Sequence, residues 1–222
     1  MTLKERYRRT IEFFEENMPV PETELTYRDP FGLIVAVILS AQCTDKRVNI
    51  ITPPLLTKYP DARSMALADP SDIYEFIKSC TYPNSKAKHL AGMARMLVNE
   101  FGGVVPSDPQ MLQKLPGVGR KTANVVASVV YRKPVLAVDT HVWRVSKRIG
   151  LVKNARTPLS AERQLSANIP EDLIYKAHHW LILHGRYICK ARNPLCLQCG
   201  LREFCKFYLG KNRKNSGSSS NT

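Results

Sequence analysis

The chain has 222 residues, of which 44% are hydrophobic and 23% charged, a composition typical of globular proteins that argues against a disordered or fibrous chain. Its 33 lysines and arginines exceed its 19 aspartates and glutamates, which leaves a net charge of +14. A field of this sign attracts polyanions, so nucleic acid is the first expected partner and an anionic membrane the second. No apolar run approaches the roughly 18 residues of a membrane span, and the N-terminus lacks the apolar stretch of a signal peptide. We therefore expect a protein that is neither exported nor inserted in a membrane, and a short chain without a targeting extension favours a prokaryotic cytoplasm.

Helical periodicity recurs along almost the whole chain. It predicts helices over residues 1–17, 31–41, 44–58, 70–79, 84–101, 108–114, 120–131, 139–149, 158–168 and 173–188. Pro53-Pro54 is expected to kink or split the helix over 44–58, because proline lacks the amide donor that a helix interior needs. The β-like run from Val135 to Val138 is too short to seed a sheet, so the predicted fold class is all-α.

The pattern also suggests two helical lobes. A central lobe is predicted over about residues 22–132, and a second lobe is predicted to combine residues 1–21 with 133–210. The tail over residues 211–222 contains no apolar side chain and is expected to be disordered.

A glycine-containing turn lies between two predicted helices, with the sequence Leu115-Pro116-Gly117-Val118-Gly119 followed by Arg120 and Lys121. Glycines let the backbone turn sharply and approach a ligand closely, and a helix N-terminus with free amides binds phosphate. An ordinary helix–helix connection is the alternative. The positive net charge favours the phosphate interpretation, and the turn resembles a helix-hairpin-helix DNA-binding element.

Lys121 would lie in the first turn of the helix over 120–131. A solvated lysine is the ordinary interpretation of such a position. However, a helix N-terminus is the unfavourable end for a cation, and Arg120 adds a second positive charge, so both favour loss of the ammonium proton. A neutral lysine is a nucleophile that can form a Schiff base.

Asp139 begins the segment Asp139-Thr140-His141-Val142-Trp143-Arg144. Aspartate is a preferred N-cap, and capping alone would explain it there. A functional role requires its carboxylate to face the same site as Lys121, where it would stabilise positive charge that develops on a sugar carbon. The two roles are compatible.

Four of the six cysteines lie within seventeen residues, as Cys189, Cys196, Cys199 and Cys205. In a protein without a secretion signal, a thiolate-bound metal centre is favoured over a disulfide framework. Four close thiolates suit either zinc or an iron–sulfur cluster, and the spacing does not choose between them.

These motifs together resemble the endonuclease III family of the helix-hairpin-helix-GPD superfamily of DNA glycosylases. The resemblance covers about residues 5–208 and includes Leu39-Ser-Ala-Gln-Cys-Thr-Asp45, Asn84-Ser-Lys-Ala87 and the run from His178 to Arg186. It implies an active site in a cleft between two helical lobes and a [4Fe–4S] cluster held by the four cysteines. It also implies a monomer that acts on duplex DNA containing a damaged base or an abasic site.

The resemblance implies removal of an oxidised pyrimidine that has been flipped out of the duplex. Gln42 would fill the vacated space and Tyr82 would wedge from the other side. Lys121 would attack the sugar C1′ and then cleave the strand by β-elimination, assisted by Asp139. The residues expected to contact DNA are Gln42, Asp45, Tyr82, Leu115, Gly117, Val118, Gly119, Arg120, Thr140, His141, Arg144, Lys190 and Arg192.

Two alternatives remain at this point. One is a monofunctional glycosylase of the same fold, although Lys121 favours the bifunctional enzyme because an adenine-excising relative lacks this lysine and a mismatch-specific thymine glycosylase has tyrosine there. The other is a non-catalytic, cluster-bearing DNA-binding protein. The segment Thr81-Tyr82-Pro83 departs from the usual family pattern, which leaves the opposite-base preference open.

Overall fold

The computed structural model describes the backbone of residues 1–217 and the side chains of residues 1–211, and no strand occurs in residues 1–217. Twelve α-helices follow one another in this part of the chain: α1 Leu3–Asn17, α2 Pro30–Ser40, α3 Asp45–Lys58, α4 Ala62–Ala66, α5 Pro70–Ile77, α6 Pro83–Phe101, α7 Pro109–Leu112, α8 Arg120–Tyr131, α9 Thr140–Ile149, α10 Pro158–Ser166, α11 Ile174–Tyr187 and α12 Lys206–Gly217. The predicted all-α fold class is confirmed, and no helix in the described chain is both long and apolar enough to cross a membrane.

Side-chain caps set many of these helix boundaries. Asp29 accepts a hydrogen bond from the Gly32 amide at the start of α2, and Thr157 accepts one from the Ser160 amide at the start of α10. Each cap satisfies one of the amides that have no partner within a helix. Prediction missed α4, whose signal is the reciprocal capping of Asp61 with Ser64.

The predicted split at Pro53-Pro54 is wrong, because α3 runs from Asp45 to Lys58 without interruption; the alternative of a kink stays a prediction. Each proline lacks an amide donor, so the carbonyl four residues earlier has no hydrogen-bond donor within the helix. Those carbonyls belong to Asn49 and Ile50, and the Ile50 side chain is 56% exposed. The helix is therefore exposed to water on its outer side at Ile50, while Val48 and Leu55 on the inner face are fully buried.

The chain divides into two compact units, Thr23–Lys133 and Met1–Glu22 joined with the residues from Pro134 onward. In the unit Thr23–Lys133, α2 is buried along nearly its whole length, from Phe31 to Leu39. It packs against α3, α6 and α8. A helix that is apolar all round suits this central position.

In the other unit, α1 joins the N-terminus to the C-terminal segment. The buried Arg6 guanidinium donates to the carbonyls of Ile149 and Phe204, and the ring of Phe14 stacks on that of Trp180 with centroids 5.6 Å apart. The apolar core of this unit extends from Tyr7 to Phe204 and includes Cys189 and Cys199 at its margin. Residues at both ends of the sequence therefore share one core.

The disordered tail predicted for residues 211–222 differs in part from the structure, since α12 continues through residues 211–217. Once a helix has formed, each added residue contributes a further hydrogen bond, and the polar residues of this segment include good helix formers. The rest of that prediction, over residues 218–222, falls outside the described residues.

Candidate functional site

The turn between α7 and α8 has a conformation that depends on glycine. Gly117 has φ +78°, and a Cβ atom there would lie 2.8 Å from Cβ of His89. The turn is closed by a hydrogen bond from the Val118 amide to the Leu115 carbonyl, 3.0 Å long. The side chains of Leu115 and Val118 are buried. Any contact that Leu115 and Val118 make with DNA is therefore through their backbone atoms.

The N-terminus of α8 is presented without a side-chain cap. Gly119 occupies the N-cap position, and a Cβ atom there would meet nothing within 4 Å among the described residues. Arg120 and Lys121 follow as the first two helical residues, and both are exposed. The free backbone amides of α8, the positive end of its dipole and the two cations therefore lie together on the surface. This arrangement suits phosphate binding.

Asp139 is the N-cap of α9 and is half-buried. Its Oδ1 accepts a hydrogen bond of 2.7 Å from the Val142 amide. The predicted capping role is confirmed. The described structure shows no hydrogen bond to Oδ2, so capping occupies one carboxylate oxygen and leaves the other for further interactions.

Thr140 and Arg144, which follow Asp139 in α9, differ in their surroundings. Thr140 is exposed, whereas the Arg144 guanidinium donates to the carbonyls of Gly185 (2.8 Å) and Cys189 (3.0 Å) and lies 3.1 Å from Nδ1 of His141. Burial lowers the pKa of His141, with the charge of Asp139 acting in the opposite direction. Arg144 therefore links α9 to the end of α11, a structural task that the sequence did not indicate.

Two turns in the unit Thr23–Lys133 carry the predicted DNA-inserting residues. Gln42 and Tyr82 both have φ +55°, in the left-handed region that non-glycine residues seldom adopt. Gln42 is exposed and Tyr82 is 64% exposed. The Thr81 hydroxyl donates to the Gln42 carbonyl at 2.8 Å. The structure therefore brings these two turns together and exposes both side chains.

Lys86 supports the first of these turns and was not singled out by prediction. The side chain is buried, and Nζ donates to the carbonyls of Leu39 and Ala41, each at 2.8 Å. These carbonyls end α2 immediately before Gln42. An ammonium at the C-terminal end of a helix interacts favourably with the helix dipole as well as with the carbonyls.

The four clustered cysteines line one pocket, together with apolar side chains such as Ile149, Ile188 and Leu201. Burial raises the pKa of the Cys199 thiol to about 11, and the neighbouring thiols act in the same direction. Because iron and zinc bind thiolates, loading a metal here must displace protons. No group of three or more His, Cys, Asp or Glu in the described chain is placed to hold a single metal ion. A pocket lined by four thiols fits the donor set of an iron–sulfur cluster.

Arg148, another residue that prediction missed, organises the loop after Cys189. Its guanidinium donates to the carbonyls of Lys190 (2.7 Å) and Ala191 (3.0 Å) and lies 3.5 Å from Sγ of Cys189. Its own carbonyl accepts from Sγ of Cys205 at 3.2 Å. The only sequence signal is a basic residue in the last turn of a helix. Lys190 and Arg192 remain exposed on the loop.

Comparisons with known proteins agree with this geometry. Residues 35–171 match the family model of the HhH-GPD superfamily of base excision DNA repair proteins. Residues 189–205 match that of the iron–sulfur binding domain of endonuclease III, so the chain carries a [4Fe–4S] cluster.

Individual relatives extend the similarity to most of the chain. Endonuclease III of Rickettsia felis is 47% identical, over 89% of this chain and 92% of that protein, and that of Escherichia coli is 40% identical, over 86% and 90%. A structure of a non-covalent endonuclease III–DNA complex superimposes with a TM-score of 0.90 at 39% identity, covering 96% of this chain and 100% of that one. A trapped endonuclease III–DNA covalent intermediate gives a TM-score of 0.89 at 40% identity, with the same coverage. These similarities show that the chain belongs to the endonuclease III family of the HhH-GPD superfamily.

Proposed function

We propose that this protein removes oxidised pyrimidines from duplex DNA and then cleaves the resulting abasic site through a Schiff base on Lys121. The chain is a bifunctional DNA glycosylase and abasic-site lyase of base excision repair. The observation that carries the assignment to Lys121 is its exposed position beside Gly119, at the uncapped N-terminus of α8. There, a DNA phosphate held by the turn would bring the adjoining sugar within reach of the amine.

The first chemical step requires a base that has left the stack, at a cost of a few kcal/mol. Gln42 and Tyr82 would offset this cost by occupying the duplex around the vacated position. The neutral Lys121 amine attacks C1′, and the glycosidic bond breaks with its electron pair leaving on the base, which takes up a proton. Asp139 stabilises the positive charge that develops on the sugar, an interaction strongest at the transition state.

The second step cleaves the strand. The sugar ring opens to leave an iminium ion between Nζ of Lys121 and C1′. Loss of a proton from C2′ then expels the 3′ phosphate, and water releases the lysine. When bound, the cluster supplies iron–thiolate bonds from Cys189, Cys196, Cys199 and Cys205 that cross-link the loop bearing Lys190 and Arg192. Those two cations would bind backbone phosphates and carry no sequence information.

Borohydride trapping on duplexes that each carry one oxidised pyrimidine tests this proposal. The wild-type protein is expected to yield a covalent DNA adduct, and Lys121→Gln is expected to yield none while still binding DNA. Lys114→Gln, which alters an exposed lysine on the other side of the turn, is the matched control and should trap normally. Efficient base release without any adduct would indicate a monofunctional glycosylase instead.

We also propose that the protein acts as a monomer in a prokaryotic cytoplasm. The net charge of +14 supports association with the nucleoid, because non-specific DNA binding depends mainly on phosphate neutralisation. Sedimentation of the holoprotein at micromolar concentration should give a single species of about 25 kDa. A dimer under these conditions would contradict the proposal.

A further inference from the structure

Two cysteines outside the iron–sulfur site lie side by side beneath the turns that carry Gln42 and Tyr82. The Sγ atoms of Cys43 and Cys80 are 3.6 Å apart. Cys43 directly follows Gln42, and Cys80 precedes Tyr82 by two residues. The pair is separated by 37 residues in sequence, so only the fold brings it together.

The two turns are mechanically coupled at this point. The hydrogen bond from Thr81 to the Gln42 carbonyl joins them, and both Gln42 and Tyr82 hold a left-handed backbone conformation. A residue in this region has few alternative conformations nearby. Any backbone shift needed to join the sulfur atoms would therefore reach a turn that has little freedom to absorb it.

The two thiols differ in their access to solvent. Cys43 is half-buried, whereas Cys80 is 6% exposed. Burial raises the pKa of the Cys80 thiol to about 11, while the positive charges of Lys86 and Arg47 act in the opposite direction. A small oxidant from solvent would accordingly reach Cys43 first, and Cys80 is placed to react with the product.

We propose that Cys43 and Cys80 form an oxidation site at which hydrogen peroxide produces an intramolecular disulfide that disables the two turns. The Cys43 sulfur attacks one peroxide oxygen, the O–O bond breaks, and sulfenic acid and water result. The Cys80 sulfur then attacks the Cys43 sulfur, the S–S bond forms, and the S–O bond breaks with loss of a second water. Two thiols are oxidised by two electrons, and one peroxide is reduced to two waters.

The effect on activity rests on the proposed function of Gln42 and Tyr82. A disulfide has an S–S distance of about 2.05 Å, so the two sulfurs must approach by about 1.5 Å. Misplacement of a positioning group by about 1 Å can reduce turnover by about 10²-fold. We expect oxidation to lower cleavage of abasic DNA by about tenfold or more, and dithiothreitol to restore it.

The test uses the full-length holoprotein, isolated reduced and treated with one equivalent of hydrogen peroxide. Free thiols are then blocked, and the digested protein is analysed by mass spectrometry. The expected product is a cross-linked peptide pair containing Cys43 and Cys80, lighter by two hydrogens than the separate peptides. Cleavage of abasic DNA, affinity for a duplex with a non-cleavable abasic analogue, and visible absorbance of the cluster are measured on the same sample.

Cys43→Ser and Cys80→Ser are the matched controls. Each should prevent the cross-link and retain activity after peroxide treatment; the half-buried Cys43 position provides a usable variant even if the buried Cys80 substitution impairs folding. Equal losses in wild type and Cys43→Ser would trace the effect to the cluster and overturn the proposal.

The remaining outcomes separate this proposal from the proposed function. Peroxide treatment that leaves both thiols free, or stops at a sulfinic acid on Cys43, overturns the oxidation site. A cross-link that changes neither cleavage nor affinity for the analogue overturns the switch. If the reduced protein cleaved no DNA at all, the proposed function would fail, and the change in affinity alone would decide whether the disulfide disables the turns.

Discussion

Asp139 has a capping task and a proposed catalytic task that one substitution can separate. Asparagine caps helices as well as aspartate does, so Asp139→Asn should keep the bond to the Val142 amide and remove only the charge. We expect turnover to fall by about 10²- to 10³-fold, with nearly unchanged DNA affinity and melting temperature. Single-turnover base release and thermal unfolding measure the two effects.

Asp139→Ala provides the comparison, because it loses both the charge and the cap. It should show a similar fall in turnover and an additional destabilisation of about 1 kcal/mol. Full activity of Asp139→Asn would leave Asp139 with capping alone and contradict its proposed catalytic role.

Lys86 is predicted to be a positioning residue for the turn at Gln42. Lys86→Met retains the length of the side chain but removes both bonds to the carbonyls of Leu39 and Ala41. We expect a loss of about 2 kcal/mol in the free energy of unfolding, measured by urea denaturation, and weaker binding to a duplex with an abasic analogue. Lys88→Met, at an exposed position of the same helix, should change neither quantity appreciably.

At the scale of the element, the two glycines between α7 and α8 have separable roles. Gly117→Ala places a Cβ atom at positive φ and against His89, and it should destabilise the protein by at least about 1 kcal/mol. At Gly119, φ is −84° and an added Cβ atom meets nothing within 4 Å among the described residues, so Gly119→Ala should change stability by about 0.5 kcal/mol. If the amides of this turn bind phosphate, Gly119→Ala will nevertheless weaken DNA binding, because the added methyl group occupies the approach path.

Chemical denaturation and equilibrium binding to undamaged duplex distinguish the two variants. Wild-type affinity in Gly119→Ala would show that DNA does not approach the turn closely.

The conformation of the loop that follows Cys189 depends on a residue outside the loop. Arg148 in α9 donates hydrogen bonds to two consecutive carbonyls of this loop. Arg148→Ala should speed loss of iron to a chelator by about tenfold, as is typical when a group that orients metal ligands is removed. Visible absorbance and iron content follow this loss. Lys147→Ala, an exposed neighbour in the same helix, should retain iron at the wild-type rate.

For the whole molecule, the net charge of +14 predicts DNA binding that weakens steeply with salt. With six phosphate contacts, the affinity for undamaged duplex should fall by about 10³-fold between about 50 and 200 mM salt. Replacing both exposed cations Lys190 and Arg192 with alanine should reduce the slope of log affinity against log salt by about 2. Fluorescence anisotropy over a series of salt concentrations measures this slope. An unchanged slope in the double variant would place these cations away from DNA.

Much of the fold could be predicted because its signals are local. The boundaries of α8 agree with the prediction, and those of α2, α9 and α10 lie within two residues of it, because caps, prolines and periodicity act within a few residues. The error at Pro53-Pro54 has the opposite origin. Whether a helix continues past proline depends on burial of its inner face and solvation of its outer face, which neighbouring helices determine.

The sequence by itself determined the fold class, the family, and the identities of the candidate residues Lys121, Asp139 and the four clustered cysteines, because these depend on residue types in order and spacing. Only the tertiary structure decided the tasks of Lys86, Arg144 and Arg148, and the proximity of Cys43 to Cys80. Each of these depends on a contact between residues far apart in sequence. The identity of a long, flexible side chain does not indicate which distant carbonyl it will bind.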